Sequence, residues 1–254
     1  GEWMKNEAFK RIGHLYPKVK VPAEQGGGEV TVIAWIWART VKCPNPACGC
    51  EMPLVNKFDL SKKKGNEAFI QPTFEQGSIH YVVKQGKKSP DGTVNRKGGR
   101  CFFCGAPVGF PYIREEGRAG RMGNRLVAVV AEGSRGRAYI SPDLEQQQIA
   151  DVEKPGDYHD AALPNNPRDF KTPNYGMRNF SDLFTNRQLT ALTTFSDLVA
   201  EAQKQAEADA VATGLPDDHI PLSEGGTGAR AYGEAVGVYL SCVIDKMADY
   251  HSAI

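Results

Sequence analysis

Cysteine is the residue type whose spacing here implies the most definite chemistry. Four of the six cysteines form two pairs, in Cys43-Pro44-Asn45-Pro46-Ala47-Cys48-Gly49 and in Cys101-Phe102-Phe103-Cys104-Gly105. A short step between cysteines that ends in glycine folds the backbone into a knuckle. One thiolate binds from the incoming strand and one from the turn, while glycine lets backbone amides approach sulfur. Two such knuckles predict a zinc ribbon, in which Cys43, Cys48, Cys101 and Cys104 surround Zn2+ as a closed tetrahedron of structural type. Disulfides are the first alternative, but no stretch reads as a signal peptide and 254 residues can bury a core without covalent staples. Redox chemistry at Cys101/Cys104 is the second, and the pair lacks the strand-then-helix setting of such motifs. Cys50 could replace Cys48, but Cys50-Glu51-Met52-Pro53 has no knuckle glycine, so it is left out of the ligand set. Cys242 falls in an amphipathic helical pattern and reads as a core thiol.

Charge gives the cysteines a context. The net charge is only +1, yet residues 39–125 carry 16 Lys and Arg against 7 Asp and Glu, and residues 126–254 carry 10 against 19. The excess positive charge therefore surrounds the knuckles. Lys62, Lys63, Lys64, Lys87, Lys88, Arg96, Lys97 and Arg100 are the candidate phosphate contacts, and DNA is the expected partner. A well-solvated hairpin edge is the competing reading of the same charges. The acidic half offers a surface for a protein partner.

Other motifs are weaker. Gly225-Gly226-Thr227-Gly228 precedes a helical pattern but matches neither a P-loop nor a dinucleotide fingerprint, so it reads as a helix connection. His14, His80, His159, His219 and His251 show no ligand spacing, and Asp157, Asp160, Asp217 and Asp218 read as solvated loop charges. Tyr175, Arg178 and Phe180 could meet a base or a cofactor ring, although anchoring the entry to a helix explains them more simply.

The elements that must position these groups follow from periodicity. Glu2–Leu15 reads as a helix with Trp3, Phe9 and Ile12 as its apolar positions, and residues 29–41 as a buried strand delivering Cys43. Residues 52–60 continue as the strand leaving the first knuckle, and Lys62-Lys63-Lys64-Gly65 is a tight basic turn. Strands are expected within 68–83, at 126–132 and at 137–140, with polar turns over 86–99. A Pro-rich loop at 154–173, with Pro155, Pro164, Pro167 and Pro173, marks the main boundary. Thr185-Asn186-Arg187-Gln188 fits a capping box opening a helix to about residue 212, which Gly214 and Pro216 end. A last helix begins near Arg230, with Tyr232, Val236, Tyr239, Val243 and Met247 expected to pack on its predecessor.

At residues 35–43 the chain also becomes familiar. Trp35-Ile36-Trp37-Ala38-Arg39-Thr40-Val41 leading into Cys43-Pro44, then Pro53-Leu54-Val55 and Leu60-Ser61-Lys62-Lys63-Lys64, resembles the central region of zinc-ribbon-containing adenine-specific DNA methylases of bacteria and archaea. The likeness continues in Gly176-Met177, in Phe180-Ser181-Asp182-Leu183-Phe184-Thr185, in Arg187-Gln188-Leu189, in residues 193–199 and in 245–250. The resemblance implies a parent that transfers a methyl group from S-adenosylmethionine to the exocyclic amine of adenine. That chemistry needs an Asp/Asn-Pro-Pro-Tyr/Phe motif around the flipped base and a Gly-rich strand end for the cofactor. Asn45-Pro46 and Asn166-Pro167 lack the second proline and the aromatic, so no catalytic residue carries over.

The expectation is therefore an α+β segment. Residues 1–153 would be strand-rich and hold the zinc ribbon at about 39–125, and residues 154–254 would form a helical subdomain. Gly1 stands where an initiator Met would be and Ile254 falls within a helical pattern, so the chain reads as part of a longer protein. Its role would be DNA binding or target recognition beside flanking methyltransferase regions of the same parent. The alternative is a structural or protein-interaction module of a multi-subunit DNA modification or defence system. No apolar run approaches the eighteen or so residues of a membrane span, and the expected location is cytoplasmic.

Overall fold

Val32–Lys42, rich in β-branched and aromatic residues, and Gly123–Gly133, with the apolar run Leu126–Ala131, form the two longest strands and lie side by side. The computed structural model describes residues 1–252 apart from 76–77, 134–135, 165, 167 and 169, so Pro167 and Ile254 of the expectations above lie outside the described residues. In chain order the elements are α1 (Glu2–Ile12), β1 (Val19–Lys20), β2 (Glu29–Val30), β3 (Val32–Lys42), β4 (Glu51–Pro53), β5 (Asp59–Ser61), β6 (Ala68–Glu75) and β7 (Ser78–Gln85). Then follow β8 (Val94–Asn95), β9 (Gly98–Arg100), β10 (Pro107–Val108), α2 (Phe110–Arg118), β11 (Gly123–Gly133), β12 (Gly136–Ile140), α3 (Leu144–Ile149), α4 (Asn186–Ala212) and α5 (Ala229–His251). The fold is α+β, with five α-helices and antiparallel sheets among the described residues. No helix of the described residues is long and apolar enough to cross a membrane.

Two compact units interleave along the chain, one of residues 17–148 and 162–178, the other of 1–16, 149–161 and 179–254. This differs from a single division after residue 153 in three places, the first being residues 149–153, which group with the helical unit. The N-terminal helix groups with the C-terminal helices, and residues 162–178 group with the strands.

In the strand-rich unit a four-stranded sheet has the order β12-β11-β3-β4. Leu126, Val127, Ala128, Val129, Val130 and Ala131 are all buried, as expected of a central strand covered on both faces. A register shift between Leu126 and Ala128 leaves Val127 as an extra residue, so Val127 and Ala128 join one apolar cluster while Leu126 and Val129 join another. The hairpin sheet β5-β6-β7 contributes Ile70 and Tyr81 to the first of these clusters, and Phe58, just before β5, joins them. The expected strand over 52–60 is broken into β4 and β5. Pro53 cannot donate a ladder bond, and the buried Thr93 hydroxyl donates to Pro53 O while its oxygen accepts from Val55 N at 3.0 Å. That tie also orders the stretch read as turns, which contains β8 and the start of β9. Helices α2 and α3 were not expected from the sequence. In α2, Pro111 in the first turn is the overlooked start signal.

In the helical unit, α1, α4 and α5 bury Met4, Ala8 and Leu198 together with Phe195, Val199, Leu240 and Ile244. The Thr185/Gln188 capping box forms, with Thr185 N donating to Gln188 Oε1 at 2.7 Å and Gln188 N to Thr185 Oγ1 at 3.3 Å. Two expected faces are corrected. On α1 the buried stripe is Met4, Ala8 and Ile12, and Phe9 is exposed. On α5 the buried positions are Ala229, Ala231, Gly233 and Gly237, and Tyr232, Tyr239 and Val243 are exposed. The physical reason is close approach: a Cβ on Gly233 would stand 2.8 Å from the Gln203 carbonyl of α4, so the glycines set the contact face. Cys242 is likewise exposed and not a core thiol.

Candidate metal centre

Strand β3 ends at Lys42 and hands the chain to Cys43, whose amide donates to Cys50 O at 2.8 Å. Between them the chain folds back on Asn45. Asn45 O accepts from Cys48 N at 2.9 Å and Gly49 N at 3.0 Å, and Asn45 Oδ1 accepts from Ala47 N at 3.1 Å. Gly49 adopts φ +54°, which explains the glycine after Cys48. The second turn is built alike. Strands β9 and β10 pair Arg100 with Pro107, Cys101 N donates to Ala106 O at 2.8 Å, Gly105 N donates to Cys101 O at 3.0 Å, and Gly105 has φ +72°. Both knuckles expected from the sequence are thus present.

They face each other. The Sγ atoms of Cys43, Cys48, Cys101 and Cys104 all lie within 4.8 Å of one another, close enough to hold a metal ion. Cys43 and Cys104 are 3.6 Å apart, and Cys48 and Cys101 are 3.9 Å apart. Zn–S bonds of about 2.3 Å in a tetrahedron require S···S edges of about 3.8 Å, so the four thiols fit a tetrathiolate zinc site. Such a set leaves no open coordination position and is of structural type. The donors rest on an apolar wall of Val41, Met52, Val108 and Ile113. Burial pushes the Cys43 thiol up to about 12, while the Ala106 backbone N–H and the neighbouring thiols hold Cys104 down to about 7. A buried thiol group of this kind favours a dication that supplies the positive charge the interior lacks. Nearby polar contacts brace it: Asn45 Nδ2 lies 3.8 Å from Cys104 Sγ, and Tyr112 Oη donates to Lys42 O at 2.9 Å.

Cys50, which the sequence offered only as a replacement for Cys48, also stands at the cluster. Cys50 is buried, and its Sγ lies 3.4 Å from Cys48 Sγ and 3.4 Å from Cys101 Sγ. The signal was there in the Cys48-Gly49-Cys50 step, because the left-handed turn at Gly49 returns residue 50 towards the centre.

The eight candidate cations are all exposed and fall into two groups. Ala68 pairs with Gln85, and Gly86 N donates to Glu67 O at 2.9 Å, so Lys62, Lys63, Lys64, Lys87 and Lys88 share one end of the β5-β6-β7 sheet. Arg137 joins this end, its carbonyl accepting from Asn66 Nδ2 at 2.9 Å. Nothing in the sequence links residues so far apart. Arg96 and Lys97 form the β8–β9 turn, while Arg100 sits beside the second knuckle and donates to Gly105 O at 3.3 Å. Ion pairs of Lys62 with Asp59 (3.2 Å) and Lys87 with Glu67 (3.6 Å) are exposed and weak, leaving both lysines available to an anion.

The remaining candidates resolve into structure. Asp218 Oδ2 accepts from Thr227 N at 3.0 Å and Gly228 N at 3.2 Å, so a carboxylate already occupies the amides of the glycine loop. Asp160 accepts from Ser181 N and Oγ at 3.1 and 2.7 Å, and Asp217 accepts from His219 N at 3.0 Å. These three carboxylates accept hydrogen bonds although Asp218 stays exposed, and the donated N–H and O–H groups hold all three below the ordinary carboxylate range. Tyr175 packs beneath Arg114, whose guanidinium carbon is 5.7 Å from its ring centroid, and the backbone of Tyr175 abuts Gly117. Phe180 belongs to the other unit and is exposed, and the Arg178 carbonyl accepts from Leu163 N at 2.7 Å. None of the five histidines belongs to the cysteine group.

No family model, curated protein or solved structure matches this chain.

Proposed function

We propose that this chain is the zinc-ribbon segment of an S-adenosylmethionine-dependent, adenine-specific DNA methyltransferase, where it holds DNA while flanking parts of the same parent bind the cofactor and carry the chemistry. The observation that carries the reading is the thiol set of Cys43, Cys48, Cys101 and Cys104, whose second turn adjoins the β8-β9 hairpin that bears Arg96, Lys97 and Arg100. Zinc suits four thiolates at these separations and needs no open site. The Lys62–Lys64 and Lys87–Lys88 cluster gives phosphates a sequence-independent foothold, and Arg96, Lys97 and Arg100 add a second one on the β8-β9-β10 sheet. The methyltransferase assignment rests on the resemblance of residues 35–64, 176–199 and 245–250 alone. The chain lacks the Asp/Asn-Pro-Pro-aromatic motif, so catalysis is placed outside it. A cytoplasmic location goes with that role.

Titration of the zinc-loaded chain into a labelled DNA duplex, read by anisotropy at two salt concentrations, tests the proposal. Log affinity should fall linearly with log salt, by about 0.9 for each phosphate neutralised. An absence of binding at low salt overturns it. A second reading, a self-associating interaction module, is favoured by the exposed Tyr232, Tyr239, Val243 and Tyr250 of α5. Sedimentation that shows a dimer in a chain indifferent to DNA would select it.

A further inference from the structure

The cysteine cluster holds one thiol more than a tetrahedron can use. Cys50 Sγ is 3.4 Å from Cys101 Sγ, nearer than the 3.9 Å that separates Cys48 from Cys101. It also touches Cys48 Sγ at 3.4 Å, so Cys50 lies over the Cys48–Cys101 edge of the four-thiol set. Both residues are anchored by backbone bonds of the same knuckle, Cys48 N to Asn45 O at 2.9 Å and Cys43 N to Cys50 O at 2.8 Å. Gly49, at φ +54°, is the hinge between them. Cys50 touches Cys101 Sγ as closely as it touches Cys48 Sγ, but it shares the glycine hinge with Cys48 alone.

We propose that Cys48 and Cys50 are exchangeable ligands for one coordination position, so that the site keeps four thiolates when either is lost. The inference rests on the zinc reading above. In the exchange one metal–thiolate bond breaks and one forms, and one S–H bond forms on the departing sulfur as the S–H bond of the incoming thiol breaks, so charge and protons balance. The half-buried position of Cys48 and the buried one of Cys50 make Cys48 the thiol open to oxidants, with Cys50 in reserve.

Cobalt(II) loaded into the full chain tests this, because the thiolate-to-cobalt charge-transfer band grows with the number of bound thiolates. Cys48→Ser and Cys50→Ser should each keep the four-thiolate spectrum, with zinc affinity within the about 10- to 100-fold that loss of an outer contact costs. The double variant should drop to three thiolates and lose more, as should Cys104→Ser alone. A three-thiolate spectrum from either single variant at position 48 or 50 overturns exchange. Should the variants not fold, the wild-type chain answers by another route: alkylation of the zinc-loaded protein with peptide mapping should label the exposed Cys242 and divide one further label between Cys48 and Cys50. Label confined to one of them overturns the proposal. Failure of the wild-type chain to bind any metal would instead remove the zinc reading itself.

Discussion

Stripping the metal should unfold the second knuckle while leaving the helical unit intact. Residues 94–108 are held by strands of two or three residues, too short to persist alone. Ordering their backbone costs about 1.5 kcal/mol per residue, or about 22 kcal/mol for the segment. Its hydrogen bonds, among them Arg100 N to Thr93 O, Cys101 N to Ala106 O and Gly105 N to Cys101 O, return about 1 kcal/mol each and about 8 kcal/mol together. Burying Val108 and Cys101, each 1 % exposed, adds about 3 kcal/mol. The shortfall is about 11 kcal/mol, which lies within the 10–16 kcal/mol or so of apparent free energy that a structural zinc ion supplies. Hydrogen exchange before and after chelation reads the outcome directly. The amides of Cys101, Gly105, Cys43 and Gly49 should lose protection, whereas those in the middle of α4, packed through Leu198 on Met4 and Ala8, should keep theirs. Unchanged protection across 94–108 in the metal-free chain would refute the reasoning, because the local bonds would then suffice without the ion.

Three further outcomes are expected. Gly117→Ala should destabilise the strand-rich unit by about 1–3 kcal/mol in denaturant titrations, because its Cβ would stand 2.4 Å from the Tyr175 carbonyl oxygen, a backbone atom that cannot swing aside. Reversing charge at Lys62, Lys63 and Lys64 should weaken DNA binding at low salt and flatten its salt slope by up to about three phosphate contacts, with the thermal midpoint unchanged. Asp218 has its carboxylate pKa lowered in the folded state by the Thr227 and Ile220 N–H groups, so its contribution is present above the unfolded carboxylate value and is lost as pH falls through the folded one. Helicity followed during acid titration should therefore show a shallower loss of stability in Asp218→Ala, which should already be less stable at neutral pH. Identical acid profiles would dismiss the role of that carboxylate.

The four-cysteine cluster was legible because its determinants are local. Each knuckle is closed by bonds within a few residues, and Gly49 and Gly105 occupy left-handed backbone conformations that favour glycine. Cys50 was named but left out of the ligand set because no glycine follows it. A rule that asks for glycine after each ligand cannot see that one glycine serves the residue on either side of it. The basic cluster was legible as composition but not as geometry. That Lys62–Lys64 and Lys87–Lys88 share a sheet end follows from the β6–β7 register, Ala68 opposite Gln85, which charge counting does not contain. Helix α2 was hidden behind its surroundings: Glu116 is buried within it but paired with Arg121 at 2.6 Å, so the stretch reads as polar.

Helix faces were the least legible, and α5 shows why. Hydrophobic periodicity identifies a stripe of Tyr232, Val236, Tyr239 and Val243, and transfer energies alone would bury it. Packing two long helices, however, is limited by how near their backbones can come. At Gly233 the Gln203 carbonyl would be 2.8 Å from a Cβ, and at Gly237 the Gln203 side-chain oxygen would be 3.0 Å away. Tyrosines at those positions would hold the helices apart, and the contact would forfeit the dispersion of Leu198, Leu240 and Ile244 behind it. The small residues therefore choose the inner face, and the aromatic stripe is left outward, with Tyr239 and Tyr250 each 77 % exposed. Whether that stripe is idle or used is a question about partners. Pairing it with a second copy would bury several tyrosines at about 150–250 Å² each. Replacing Tyr239 and Val243 by serine should then leave the helical content unchanged while abolishing any dimer seen by sedimentation. A dimer that survives both substitutions would place the contact elsewhere.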